Sequence, residues 1–301
     1  MASPVITPAR LGRLVRPWHS NSGALVGWLF AIPAAVLFGA FAIYPMGRVV
    51  YLSFFQYSLF SSPKFDGLAN YRYLFADPVA HTAVANTLVY LVGTYVPTIV
   101  LALLIALALN TKMPGAGLLR LLYFLPVVIS WVAVAVIWNL VFQPQGLLNQ
   151  ILHINVDWLT SSTWAPVALI IVSIWKELGF FVILFLAGLQ RIPKELYEAA
   201  STDGAGGWAR FRFVTIPQIR PMMLVVTVLA VYRGLAVFSP QFVMTDGGPA
   251  NSTEVVNLYV YNNAFVYANF GRASAMAALL FAVLIILGLA QFAVYHARGG
   301  E

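Results

Sequence analysis

Six apolar runs, each about as long as a lipid bilayer is thick, constrain this chain more than any other feature. A helix rises 1.5 Å per residue, so about 20 apolar residues cross a hydrocarbon core of about 30 Å. Runs of that order occupy residues 24–46, 84–109, 119–142, 165–189, 221–239 and 273–295. Pro33, Pro97, Pro126 and Gly179 lie inside them and mark candidate kinks, which neighbouring helices tolerate by satisfying the freed backbone groups. The first run follows Arg10, Arg13 and Arg16 as a secretory leader would, but it exceeds the usual apolar length of about 7–15 residues and reads as an uncleaved transmembrane helix. The expected fold is an all-α integral membrane protein with six transmembrane helices. Composition agrees: 61% of the 301 residues are hydrophobic and 9% charged, against about 25% charged in soluble domains.

The net charge of +7 does not point to nucleic acid, because the basic residues stand in small groups between apolar runs rather than in a stripe. They report topology instead. With both termini in the cytoplasm, the inner segments hold Arg10, Arg13, Arg16, Lys112, Arg120, Arg191, Lys194, Arg210, Arg212, Arg220 and Arg298, 11 of the 17 Lys and Arg. Only Arg48, Lys64, Arg72 and Arg272 fall outside, so the positive-inside bias favours cytoplasmic termini. The expected organisation is a cytoplasmic N-terminal segment 1–23, one membrane domain 24–295 and a cytoplasmic tail 296–301. The chain has no Cys and four scattered His, so disulfides and thiolate sites are excluded and no metal centre is expected.

One connection stands out, residues 190–221, on the cytoplasmic side of this topology. Structureless loops beyond about 12–15 residues are uncommon, so this one is expected to carry structure. Pro193 suits a first helical turn, Glu195 and Glu198 favour the positive N-terminal end, and Gly204 suits the position just past the C-terminus. Leu196, Ala199 and Ala200 share one narrow face, which lets another protein surface approach closely. After a Gly-rich turn, Trp208, Phe211 and Thr215 line a second short amphipathic piece that stops at Pro217. On periodicity alone, an ordinary surface hairpin linking two spans is an equal alternative.

The order Glu198-Ala199-Ala200, three residues, Gly204, nine residues, Val214-Thr215-Ile216-Pro217 resembles the EAA signature of binding-protein-dependent ABC importer permeases, E-A-A-x3-G-x9-I-x-L-P. Val214 and Ile216 are the departures, and both stay apolar and branched. "FDGLANYRYLF" from Phe65, "NTLVY" from Asn86, "AGLQRIPKELYEAA" from Ala187, "MTDGGPANSTE" from Met244, "YNNAF" and "GRASA" are similar to the sugar-importer branch, which includes permeases for maltose, other oligosaccharides and glycerol 3-phosphate. Ser239 departs from it, since relatives often carry Asp there. The resemblance implies the type I importer permease arrangement, in which the EAA loop is a coupling helix seated in a groove of an ATPase. Glu198, Ala199, Ala200 and Gly204 would be the docking residues. It also implies a second permease subunit in a heterodimer, two nucleotide-binding ATPase subunits carrying ATP and Mg, and an external substrate-binding protein, in the plasma membrane of a bacterium or archaeon. The chain itself has no Walker A pattern, so no cofactor is expected on it and it is not expected to be an enzyme.

Lys176 and Glu177 fall near the middle of the fourth run and Arg233 in the fifth. A charge at the centre of a span costs about 2.5–3.5 kcal/mol on insertion scales, so each needs a partner or water. Neighbours on a helix diverge by about 100°, so Lys176 and Glu177 do not pair face to face, whereas Glu177 and Arg233 can. They read either as part of a translocation path or as a structural ion pair. Trp138, Asn139, Tyr232, Phe238 and Gln241 offer stacking and hydrogen bonds suited to sugar hydroxyls, with core packing as the alternative. Thr245, Gly247, Gly248 and Pro249 open a turn-rich outer loop suited to receiving a binding protein, or serve as a plain structural turn. Two other classes remain: an ion-coupled secondary transporter relaying through Lys176, Glu177 and Arg233, and a scaffold that binds an ATPase without transporting. Against the former, no internal repeat is visible.

Overall fold

The computed structural model describes residues 21–58, 60–110 and 115–297. The charges Arg10, Arg13, Arg16, Lys112 and Arg298 therefore lie outside the described residues, as do most of the expected N-terminal segment and the end of the expected tail. The chain divides into two compact units, one ending at Tyr51 and one beginning at Leu52. In the first, α1 (Asn21–Phe38) passes through a π-helical turn at Gly39–Ile43 into α2 (Tyr44–Leu52).

The second unit opens with a short antiparallel hairpin, β1 (Phe55–Ser58) and β2 (Ser61–Phe65), Phe55 facing Phe65 across it. In α3 (Ala69–Ala76), the Asn70 amide donates to the carbonyls of Ser53 at 2.9 Å and Phe55 at 3.0 Å, fastening the hairpin to the helix. Asp77 then caps α4 (Pro78–Leu109): its carboxylate accepts from the Val79 N–H at 3.0 Å, and Pro78 fills a position whose N–H would lack a partner. There follow α5 (Ala116–Val128), α6 (Trp131–Val141), the short α7 (Leu147–Leu152) and α8 (Trp164–Leu189). The 190–221 connection contains α9 (Lys194–Thr202), α10 (Gly207–Arg210), a π-helical turn at Phe211–Thr215 and α11 (Ile216–Gln218). Last come α12 (Arg220–Leu235), α13 (Ser239–Met244), α14 (Val256–Tyr261), a π-helical turn at Asn262–Val266 and α15 (Phe270–Ala297).

Among the described residues, five helical stretches are long and apolar enough to cross a membrane, and a bent pair makes a sixth. The fold is that of an all-α membrane protein of five to six spans with one small hairpin. The third expected run, 119–142, is the exception to a straight reading: α5 and α6 meet at a bend of 100°. The cause is local. Pro126 has no N–H to give the helix and Ile129 is extended, at φ −69° and ψ 138°. Ser130 then starts α6 afresh, its hydroxyl accepting from the Ala133 N–H at 3.3 Å. Pro97, by contrast, stays inside an unbroken α4.

In lipid the helices gain little from hiding apolar surface, so close packing and hydrogen bonds must hold them together. The centre of the second unit is α8, which packs along α4 and against α5, α12 and α13. Ala102, Ala106, Ala165 and Ala168 are buried along these seams, with Phe181 and Phe185 filling the space between. Gly179, a candidate kink, instead permits a close approach: a Cβ there would overlap the carbonyl of Tyr123 on α5. Deep in the same core the Tyr90 hydroxyl donates to Ser173 Oγ at 2.8 Å, tying α4 to α8.

Candidate functional site

The expected helix after Pro193 is present as α9, and none of its nine residues is buried by the rest of the chain. Glu198 and Ala199 are exposed and Ala200 half-buried, so the small face beside a carboxylate is presented outward. Gly204 adopts φ +77°, the left-handed conformation that closes a helix and that side chains resist. The Ala205 N–H returns to the Ala200 carbonyl at 2.9 Å, completing that closure.

Behind α9 the second piece is held firmly: Tyr197 and Thr215 share a hydroxyl hydrogen bond at 3.0 Å, and Arg210 donates to Ser201 Oγ at 3.1 Å. Trp208 packs on Phe211 with ring centres 5.5 Å apart, yet Trp208 and Phe213 remain about three-quarters exposed, at 74% and 76%. The piece runs one residue past Pro217, to Gln218.

The two adjacent intramembrane charges on α8 part company as the 100° rule requires. Glu177 pairs with Arg233 of α12, whose guanidinium also lies over the Phe180 ring, 4.1 Å from its centre. Lys176 turns the other way, toward the break between α5 and α6, and donates to backbone carbonyls there. The aromatic and amide candidates fall into two groups. Trp138 on α6 stacks near Phe142 and Trp175, at 5.2 Å and 5.5 Å between ring centres, and Asn139 beside it has a buried Oδ1 with no hydrogen-bond partner. Phe238, the residue before α13, stacks on Phe242 at 5.0 Å and meets Tyr261 at 5.4 Å. Gln241 on α13 is buried, and its Oε1 is likewise unpartnered. α13 packs against α6, so the two short broken-off helices carrying these groups are neighbours. Tyr232 lies on α12 and is 56% exposed.

Thr245, Gly247, Gly248 and Pro249 lie in a loop closed on itself. Thr245 and Thr253 hydroxyls share a hydrogen bond at 2.7 Å, Thr253 Oγ1 donates to the Gly248 carbonyl at 2.9 Å, and Gly247 sits at φ +80° against the Glu254 carboxylate. Asn86 of α4 holds the loop from outside, its amide donating to the carbonyls of Asn251 at 2.8 Å and Glu254 at 2.9 Å. Glu254 is 4% exposed. Burial pushes its carboxyl up to about 6, the Asn262 amide that donates to it at 3.1 Å opposes the shift, and the charge of Asp246 adds to it.

Asn86, Glu254 and Asn262 lie in stretches that carry the sequence resemblance but are not among the expected site residues, and neither is Asn257. Asn257 donates to the carbonyls of Leu235 and Val237, bridging the break between α12 and α13. The available signal was an amide or carboxylate beside an apolar run, which needs a partner wherever it is buried. A cavity of about 1050 Å³ opens between α12 and α15, lined in part by Gln218, Arg220, Met223, Leu287 and Gln291, none of them an expected site residue. Among the described residues no cluster of His, Asp and Glu is suited to a metal ion.

Comparison with known proteins bears on the whole arrangement. Residues 87–298 match the family described as "Binding-protein-dependent transport system inner membrane component". The chain is 37% identical over 281 residues to "Probable ABC transporter permease protein YurN" of Bacillus subtilis (strain 168), covering 90% of this chain and 96% of that one. It is 36% identical over 282 residues to "Lactose transport system permease protein LacF" of Rhizobium radiobacter, covering 90% and 94%. In fold it is similar to a chain from the crystal structure of a bacterial alginate ABC transporter in complex with an alginate pentasaccharide-bound periplasmic protein, with a TM-score of 0.82 at 23% identity, over 95% of this chain and 99% of that chain.

Proposed function

Since the chain belongs to the family of binding-protein-dependent transport system inner membrane components, we propose that it is the permease subunit of an ABC importer that moves a sugar or sugar-like solute into the cell by alternating access. The sugar class is supported by the relative named for lactose transport and by the fold neighbour named for alginate. The energy comes from ATP and Mg on two nucleotide-binding partners, a second permease completes the pathway, and an extracytoplasmic binding protein delivers the solute. The chain is a multi-pass protein of a bacterial or archaeal plasma membrane, surrounded by lipid and with both termini cytoplasmic. It comprises a cytoplasmic segment 1–23, a membrane domain 24–295 with its coupling loop at 190–221, and a tail 296–301.

The observation that carries the coupling role is α9 itself: a nine-residue helix with the EAA pattern and no residue buried by its own chain, braced from behind by Tyr197–Thr215 and Arg210–Ser201. Such a helix is suited to seat in a groove, with Glu198, Ala199, Ala200 and Gly204 as the docking surface. Only four residues, 190–193, separate it from α8, so displacement of α9 moves α8 directly. We read Trp138 and Asn139 on α6, Phe238 and Gln241 at α13, and Tyr232 on α12 as the groups that meet solute hydroxyls. Thr245, Gly247, Gly248 and Pro249 belong to the loop that receives the binding protein. The ion-coupled relay is disfavoured, because Glu177 is engaged by Arg233 and Lys176 by backbone carbonyls. Co-purification with an ATPase and uptake abolished by ATP depletion test this reading, whereas dependence on a proton or sodium gradient without an ATPase would sink it.

A further inference from the structure

The side chain of Lys176 is buried, at 5% exposure, in a helix of mean hydropathy 2.2. Its Nζ donates to the carbonyl oxygens of Ile129 at 2.7 Å, Pro126 at 3.0 Å and Val127 at 3.4 Å, and stands 5.2 Å from the centre of the Trp131 ring. Those four residues frame the break itself, since α5 ends at Val128 and α6 begins at Trp131.

The chemistry of the match is specific. The last carbonyls of a helix have no partner within it, and in the hydrocarbon region each such group left unsatisfied costs several kcal/mol. A break of 100° in a span exposes such a set where water is scarce. An ammonium group carries three donors and no acceptor, so it answers three convergent carbonyls without leaving an atom unpaired. The ring face of Trp131 adds negative potential on a further side. The cost of a buried cation and the cost of a broken helix thus offset one another at a single point.

We propose that Lys176 is a positioning residue: a tethered cation that fills the carbonyl cup of Pro126, Val127 and Ile129, fixes the bend between α5 and α6, and so sets the angle at which α6 presents Trp138 and Asn139. It neither contacts the solute nor exchanges a proton during transport. The proposal rests on the reading of α6 as part of the translocation path. Together with Glu177, which reaches α12, it makes α8 a helix tethered by adjacent residues to two different spans.

The chain lacks Cys, so nitroxide labels at Leu121→Cys on α5 and Ile137→Cys on α6 report the bend alone. Both positions are exposed, at 60% and 55%. Distances are measured in the assembled transporter in nanodiscs, alongside ATP-driven uptake in proteoliposomes. With Lys176 the distribution is narrow. In Lys176→Met it broadens and shifts, and the maximal uptake rate falls about tenfold or more. In Lys176→Ala, added propylammonium replaces the missing part of the side chain and narrows the distribution again, while tetramethylammonium, which has no N–H, does not. Should the Met variant fail to assemble, Lys176→Ala purified in propylammonium and then dialysed gives the same comparison. An unchanged distance distribution in Lys176→Met, or in Lys176→Ala after dialysis, overturns the proposal whatever the uptake. A shifted distribution with wild-type uptake supports the role at the break and overturns instead the reading of α6 as part of the path.

Discussion

Glu177 on α8 and Arg233 on α12, 56 residues apart in sequence, form an ion pair within the membrane-spanning helices. The two sides are unequal: the Glu177 side chain is 9% exposed and that of Arg233 33%. Removing the arginine therefore strands a buried carboxylate, whereas removing the carboxylate leaves a less buried guanidinium that still lies over the Phe180 ring. Arg233→Leu is expected to destabilise the protein by about 3 kcal/mol, the low end for breaking a buried pair, and Glu177→Gln by less. The double variant should recover part of the loss. Thermal unfolding of the four proteins of this cycle measures the coupling, and strict additivity would show that the pair contributes nothing.

Gly204 closes α9 at φ +77°, with open space where a Cβ would stand. Strain in the backbone is therefore the whole effect of substitution, about 1–2 kcal/mol for a side chain in the left-handed region. Gly204→Asn is expected to be tolerated, since Asn visits that region, while Gly204→Val should weaken retention of the ATPase subunits without lowering membrane insertion. Quantifying ATPase recovered per permease on affinity purification distinguishes the two variants.

The Glu254 carboxyl titrates at about 6 in the folded protein, against an ordinary value of 4.5. A raised carboxyl means that the folded state holds its proton more tightly than the unfolded one. This group's contribution to stability is therefore largest below about 4.5 and is lost as pH rises through about 6. Glu254→Gln keeps an acceptor for the Asn262 amide and removes the charge. The difference in melting temperature between Glu254→Gln and wild type should grow in favour of the variant from pH 4.5 to pH 6 and then level off. A difference independent of pH would show that the buried carboxyl does not titrate in that window.

The spans were legible because lipid leaves little choice: a helix surrounded by hydrocarbon must be apolar along its whole length, and the runs 84–109 and 165–189 lie within α4 and all but coincide with α8. Helix α9 was legible for a different reason. Pro193, Glu195 and Gly204 act within their own few residues, so its ends could be read without knowing what it touches. A pairing of Glu177 with Arg233 was open from the sequence, because a charge in a span needs a partner or water. The 100° bend did not follow, although Pro126 marked the place, because apolarity reports depth and not direction. Nor did the partners of Lys176, 47 to 50 residues away, or the grip of Asn86 on a loop more than 160 residues distant. Those contacts depend on which helices become neighbours, and an evenly apolar surface carries little record of that.

Glu198→Lys tests whether α9 couples ATP hydrolysis on the partner subunits to solute import. The measurement is uptake into proteoliposomes holding the assembled transporter, with ATP inside and ligand-loaded binding protein outside. The wild-type chain is expected to accumulate the sugar only with ATP, and Glu198→Lys, inserted to the same level, to lose about 90% or more of that uptake. Wild-type uptake by Glu198→Lys with its ATPase subunits fully retained would contradict that coupling.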